Sequence, residues 1–125
     1  MSIFTLNQKI KKEKYQNSGK YGELLAQKYL IKNGYEIIAT NYRCRLGEID
    51  VIAKEKEELV IIEVKYSDSI ENPYLRVDNR KIERLIKTTR YFLSSYTNYK
   101  TIRFDVISIY KKKIEHFKNI LKDTP

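Results

Sequence analysis

The sequence predicts an α/β protein, a mixed α/β sandwich or an α+β layer arrangement, with its elements in the order α-β-β-β-α-β. Three observations carry that expectation. Apolar residues recur at helical spacing up to a stop at Gly34. Three apolar runs separated by turn residues then fill positions 35–66, and a second helical stripe is followed by a strand-like alternation. With 125 residues, 42% of them apolar, the chain suits one compact core.

Residues 1–18 are polar and rich in lysine, with weak periodicity (Ile3, Leu6, Ile10), and read as a basic arm or marginal helix. From there, 19–125 reads as one domain, since no repeat or Pro/Gly/Ser-rich linker divides it. The first helix is expected from about Lys20 to Asn33, with Leu25, Ala26, Tyr29 and Leu30 on one face and Gly34 as its C-terminal stop. Tyr35 to Tyr42 reads as a strand, RCRLG as its turn, and Gly47 to Ala53 as a second strand ended by the charged loop KEKEE. Leu59 to Tyr66 is a third strand, whose unbroken LVII points to a central position. Asn72-Pro73 breaks the chain. A second helix is expected from about Asp78 to Tyr96, with Ile82, Leu85, Ile86, Thr89, Phe92, Leu93 and Tyr96 as its apolar stripe. Thr101 to Tyr110 alternates like a strand, KKK is a turn, and Ile114 to Leu121 is an edge strand or a short helix.

Composition excludes several classes of function. No run approaches the roughly 18 apolar residues of a membrane span. The opening residues MSIFTLNQKIKKEKYQ carry no continuous apolar stretch of the secretory kind, so a cytoplasmic protein is the expectation. One cysteine (Cys44) and one histidine (His116) can build neither an internal disulfide nor a Cys/His zinc site. The net charge of +9 suggests phosphate-rich partners, and its distribution says more. Residues 1–20 carry five Lys against one Glu, and residues 76–90 six basic against two acidic residues, whereas residues 21–75 hold ten acidic against seven basic. An acidic segment sits inside a basic chain.

That segment holds the chemistry. Period-two alternation puts Glu48, Asp50 and Ile52 on one face of the second strand, and Leu59, Ile61, Glu63 and Lys65 on one face of the third. A short connection, about five residues, makes the two strands an antiparallel hairpin, so Asp50 and Glu63 project toward one volume with Lys65 one pleat further on. Two carboxylates a few Å apart repel each other, and one pKa rises unless a cation intervenes. Mg²⁺ prefers one or two carboxylates together with water and a substrate phosphate, and a lysine there can orient water or stabilise charge on the phosphate. An ion pair on a solvent-exposed strand is the alternative, and the residues alone leave both readings open. For Glu23, near the start of the first helix, they favour a first-turn acidic residue that suits the helix dipole.

GKYGELLAQKYL (19–30), NYRCRLGEIDVIA (41–53), LVIIEVKY (59–66) and RFDVISI (103–109) stand in the order of a known pattern. G-E-x-x-A, N-x-R-x(3)-G-E-I-D-x-I and V-E-V-K at this spacing resemble the YraN family of small bacterial proteins, and more distantly archaeal Holliday-junction resolvases and other PD-(D/E)xK nucleases. The resemblance covers the chain from Gly19 to about Ile120. It implies a restriction-endonuclease-like core, a mixed central sheet flanked by helices. It further implies a metal-dependent nuclease in which Asp50 and Glu63 bind Mg²⁺ or Mn²⁺, Lys65 orients water or stabilises charge, and Glu23 supports them as a fourth active-site residue. Asn41, Arg43 and Lys81 match further family positions. The chain departs from the pattern at Ser67, where a basic residue is usual, and in the following loop DSIENPYLRVD.

Other charged residues have structural expectations. Glu48 shares a face with Asp50 and can also pair with Arg43 or Arg45; Asp105 suits an ion pair with Arg103; His116 suits a surface or packing role. Tyr21, Tyr29, Tyr91 and Tyr96 suit packing on helical faces. Arg76, Arg80, Lys81, Arg84, Lys87 and Arg90 recur every three or four residues along the second helix. This is a solvated basic face or, beside a metal site, a ridge for nucleic-acid phosphates, with Arg43 added from the hairpin. No base-reading motif accompanies it, so structure-selective contact with DNA is the expectation. A homodimer would suit a two-fold symmetric junction. A non-catalytic nucleic-acid-binding or assembly module that keeps the fold is the other reading.

Overall fold

A computed structural model describes residues 18–67 and 79–121 of the chain. Seven elements follow one another: α1 (Ser18–Lys32), β1 (Glu36–Cys44), β2 (Gly47–Glu55), β3 (Glu58–Ser67), α2 (Asn79–Leu93), β4 (Thr101–Tyr110) and β5 (Lys113–Phe117). The last, ambiguous segment is therefore an edge strand. The basic arm over 1–17, Arg76, Asp78 and the loop after β3 lie outside the described residues.

The five strands form one sheet in the order β1-β2-β3-β4-β5. Its pairs are antiparallel except β3 with β4, which run parallel and are linked through α2. A parallel pair needs a crossover, and a helix of 15 residues supplies it. Leu59, Val60, Ile61 and Ile62 are fully buried, because β3 has a strand on either side and a helix over either face. On the α1 face, Ala26 and Leu30 pack on Val51, Ala53, Val60, Ile62, Ile107 and Ile109. On the α2 face, Leu85 and Phe92 pack on Ile49, Ile52, Leu59 and Ile61.

Local chemistry sets the element ends. α1 closes where Gly34 takes φ +88. The Tyr35 N–H reaches back to the Leu30 carbonyl at 3.0 Å and the Gly34 N–H to Ile31 at 3.1 Å, a Schellman motif in which buried Tyr35 and Leu30 sit in one core. The β4–β5 turn places Lys111 and Lys112 at φ 47 and 67, as a tight two-residue hairpin requires.

Three expectations need correction. The β2–β3 connection has two residues rather than five, because Glu55 pairs with Glu58 and Lys56 makes the turn at φ 56. α2 ends at Leu93, so Tyr96 lies beyond it and stacks on Phe92 (5.2 Å between centroids). Strict alternation also fails in β2: Ile49 joins Ile52 under α2, while Val51 and Ala53 lie under α1. The β2–β3 ladder runs only from Val51 to Glu55, whereas β1 pairs with β2 along its whole length. Before Val51, β2 is held on one side only, and it turns away from β3. That parting of two strands makes the site.

Candidate active site

Where β2 leaves β3, the Val64 N–H loses its strand partner. It donates instead to Asp50 Oδ2 at 2.8 Å, so the Asp50 side chain bridges the gap between the strands. Groups from both faces of the sheet meet there. Glu63 and Lys65 come from β3 and make an ion pair of 3.0 Å, with side chains 15% and 14% exposed. Lys81, at the start of α2, contacts the same Glu63 oxygen at 3.0 Å. Glu23 comes from α1 and lies beside Asp50 and the Asn41 side chain, both of which act on its carboxyl. The structure thus brings together Glu23, Asp50, Glu63 and Lys65. It adds Lys81, which the basic-ridge reading put with the phosphate contacts, and Asn41.

Glu23 owes its place to α1. The helix opens at Ser18 and carries no acidic residue in its first turn, so the dipole role expected for Glu23 falls away. Instead, Gly22 lets α1 press against β3: a Cβ there would stand 2.5 Å from the Tyr66 Cβ. The close approach brings the next residue, Glu23, over Asp50. Asn41, at φ 51, uses the left-handed conformation that Asn tolerates better than most residues. It lies in β1 and acts on the Glu23 carboxyl together with Asp50.

The electrostatics are unbalanced. Burial, reinforced by the neighbouring charges of Glu63 and Glu23, pushes the Asp50 carboxyl up to about 8, although the Val64 hydrogen bond works the other way. Glu23 is raised as well, chiefly by burial. Burial and the adjoining Lys81 lower the Lys65 ammonium. Burial would lower Lys81 too, but its contacts with Lys65 and Glu63 raise it. At neutral pH a proton on Asp50 therefore does part of what a cation would do among these carboxylates.

The remaining site residues lie outside this cluster. Arg80, Arg84 and Lys87 are exposed along α2, and Arg43 pairs with Glu48 at 3.0 Å on the surface. This pairing is one of the two arrangements expected for Glu48. Tyr91 is exposed, whereas Tyr21 is buried and Tyr29 half-buried. Among the described residues no helix is long and apolar enough to cross a membrane. Asp105 is fully buried, with Arg103 and His116 upon it, as an ion-paired structural residue should be.

The family described as "Uncharacterised protein family UPF0102" matches residues 22–109, a span that opens beside Glu23 and takes in Asp50, Glu63, Lys65 and Lys81. The chain belongs to this family. A UPF0102 protein of Thermodesulfovibrio yellowstonii is 47% identical over 103 residues, covering 81% of this chain and 92% of that protein. One of Caldicellulosiruptor bescii is 41% identical over 112 residues, with 84% and 93% covered. One of Clostridium acetobutylicum is 42% identical over 98 residues, with 75% and 80% covered. The resemblance read from the sequence motifs is thereby established for the YraN family, UPF0102. The five-stranded mixed sheet with helices on both faces is the arrangement expected with it.

Proposed function

We propose that this UPF0102 protein is a divalent-metal-dependent nuclease of the PD-(D/E)xK kind that hydrolyses DNA phosphodiesters by structure rather than by sequence. The observation that supports it most is the meeting of Asp50, Glu63 and Lys65 where the β2–β3 ladder ends, with Asp50 held by the Val64 N–H and Glu63 by Lys65. Half-buried carboxylates whose charge is only partly balanced mark a site that gains by taking up a cation. Among the described residues no three His, Cys, Asp or Glu side chains form a ready metal cage. Two hard oxygen donors, Asp50 and Glu63, nonetheless fit Mg²⁺ or Mn²⁺, which completes its sphere with water and substrate phosphate. When bound, such an ion supplies Lewis-acid activation of the phosphoryl group and of a water.

The protein's own groups do the rest. Glu63 sets the position of Lys65 Nζ through their 3.0 Å contact. With its pKa lowered by burial, Lys65 can steer a water proton or donate to a phosphate oxygen that gains charge. Glu23 and the Val64 N–H fix the orientation of Asp50. Lys81, in contact with Glu63 Oε1 at 3.0 Å, would lie within reach of a substrate phosphate held beside Glu63. Arg80, Arg84 and Lys87 would hold the nucleic-acid backbone beyond it.

Calorimetric titration with Mn²⁺ of the wild type and of Asp50→Asn, paired with cleavage assays on linear, nicked and four-way DNA, tests this reading. The wild type should bind Mn²⁺ and cut at least one substrate, and Asp50→Asn should do neither while keeping its fold and DNA affinity. Lys65 and Lys81 already neutralise Glu63 between them, and this favours the second reading, a nucleic-acid-binding module without catalysis. A wild type that binds DNA but no Mn²⁺ and cuts nothing would establish it.

A further inference from the structure

Beside the carboxylates, between α2 and the tip of the β1–β2 hairpin, lies a cavity of about 440 Å³. Its floor is apolar, made by Ile82 and Leu85 of α2, Val106 of β4 and Ile120 beyond β5. Arg43, Arg84 and Lys81 line it as well, and Glu63 closes the end toward Asp50. Glu48 lines it too and pairs with Arg43 at 3.0 Å, and Lys65 and Lys81 share Glu63, so with Arg84 this end of the molecule keeps a net positive charge. The volume lies in the range that accepts a small ligand.

An apolar floor under a rim of net positive charge calls for an occupant that is flat and apolar in its body and anionic at its edge. A nucleobase with its phosphate has that form. A stacked base pair does not enter such a pocket, because both faces of each base are covered and the base is tied to its partner; a base must leave the helix to be read this way. We infer that this cavity receives one unstacked nucleotide next to the phosphodiester held at Asp50 and Glu63. The inference rests on the nuclease reading for that phosphate and names its substrate class: nucleic acid with an unpaired nucleotide, as at a flap, bulge or branch point. The preference for structure over sequence then has a physical source. The apolar floor accepts any base, but only one that has left its stack.

The test uses the full chain in EDTA, so that binding is read without cleavage. Three 5′-labelled DNAs are compared by fluorescence anisotropy: a fully paired duplex, the same duplex with a single unpaired 2-aminopurine, and one with a single-stranded 2-aminopurine flap. The unpaired forms should bind about tenfold more tightly or better, a difference of about 1.4 kcal/mol. The 2-aminopurine emission should change on binding. Ile82→Trp and, from a different part of the chain, Ile120→Trp fill the cavity; each should remove the preference and leave duplex affinity within about twofold. Equal affinity for paired and unpaired DNA, an unchanged 2-aminopurine signal, or filled variants that keep the preference would overturn the pocket. Failure to bind Mn²⁺ or to cleave, with the preference intact, would overturn the nuclease reading alone.

Discussion

Two clusters of charge, one buried and one half-buried, lie at different places on this sheet, and they are built on opposite terms. Around Asp105 every charge has its complement. Burial opposes its ionisation, but hydrogen bonds from His116 (2.7 Å), the Arg103 Nε–H (3.1 Å) and the Asn119 N–H (2.9 Å) hold the carboxyl below the usual range. Arg103 in turn reaches Glu55, Glu58 and the Tyr35 hydroxyl, and His116 meets the Tyr29 hydroxyl at 3.0 Å. This network ties α1, β2, β3, β4 and β5 together. Around Asp50 the complement is partial: Lys65 and Lys81 both pair with Glu63, Asp50 itself accepts from the Val64 N–H, and its carboxyl is pushed up to about 8. A satisfied cluster holds a fold together. An unsatisfied one costs stability, and it persists where binding something else offsets that cost.

The sharpest way to break the comparison is to neutralise the two aspartates in turn. Asp105→Asn strips the anion from beneath Arg103 and His116, and should cost about 3–5 kcal/mol at pH 7 by urea denaturation. Wild-type Asp105 has its carboxyl pKa depressed on folding. Its contribution is complete above the unfolded value near 4 and is lost as pH falls through the lower folded value.

Asp50 has the opposite sign. Its folded pKa of about 8 lies above the ordinary value of 3.8, so the folded state holds the proton more tightly. Stability present below pH 4 is lost as pH rises through 8. In EDTA, Asp50→Asn should therefore match the wild type below about pH 4 and exceed it progressively as pH rises, by about 1 kcal/mol or more at pH 8, one pKa unit being worth about 1.4 kcal/mol. An Asp50→Asn as damaging as Asp105→Asn would erase the distinction between the clusters.

Gly22→Ala probes how the reactive cluster is placed. The added Cβ collides with Tyr66, so α1 must shift, at a cost of about 1–3 kcal/mol in thermal or urea unfolding. The Mn²⁺ affinity should fall with it as Glu23 leaves Asp50, a readout that a purely structural glycine would not move. The smallest effect belongs to the exposed ridge. Arg84→Glu should weaken DNA binding and lower the salt slope, log Kobs against log[salt], by about 1, without changing stability or Mn²⁺ affinity.

Much of this molecule is legible from its sequence, for identifiable reasons. LVII marks β3 as central because a strand buried on both faces has no polar position to spare. Gly34 ends α1 because the cap needs positive φ. The motif spacing singles out Asp50, Glu63 and Lys65, and the structure places them at one strand end. Glu23 was harder to read, because its role depends on α1 starting at Ser18 and on Gly22 lying against Tyr66, a contact between residues 44 positions apart. By periodicity Lys81 is one more member of a basic helix face, and only the family resemblance sets it apart. Only the fold shows that its helix start lies over Glu63. The cavity beside them has no signature in the sequence at all, since its walls come from β1, β2, β3, α2, β4 and the segment after β5.

The sequence by itself determined the elements, their order and the residue types available for chemistry, because apolar periodicity, turn residues and charge are local properties of the chain. Tertiary structure decided which charges meet. It turned Asp105 with Arg103 and His116 into a closed network, and it parted β2 from β3 so that Asp50, Glu23, Glu63, Lys65 and Lys81 converge with too little to neutralise them. The reason is physical: the energy of a charge depends on burial and on neighbours within a few Å, and both exist only once distant segments have packed.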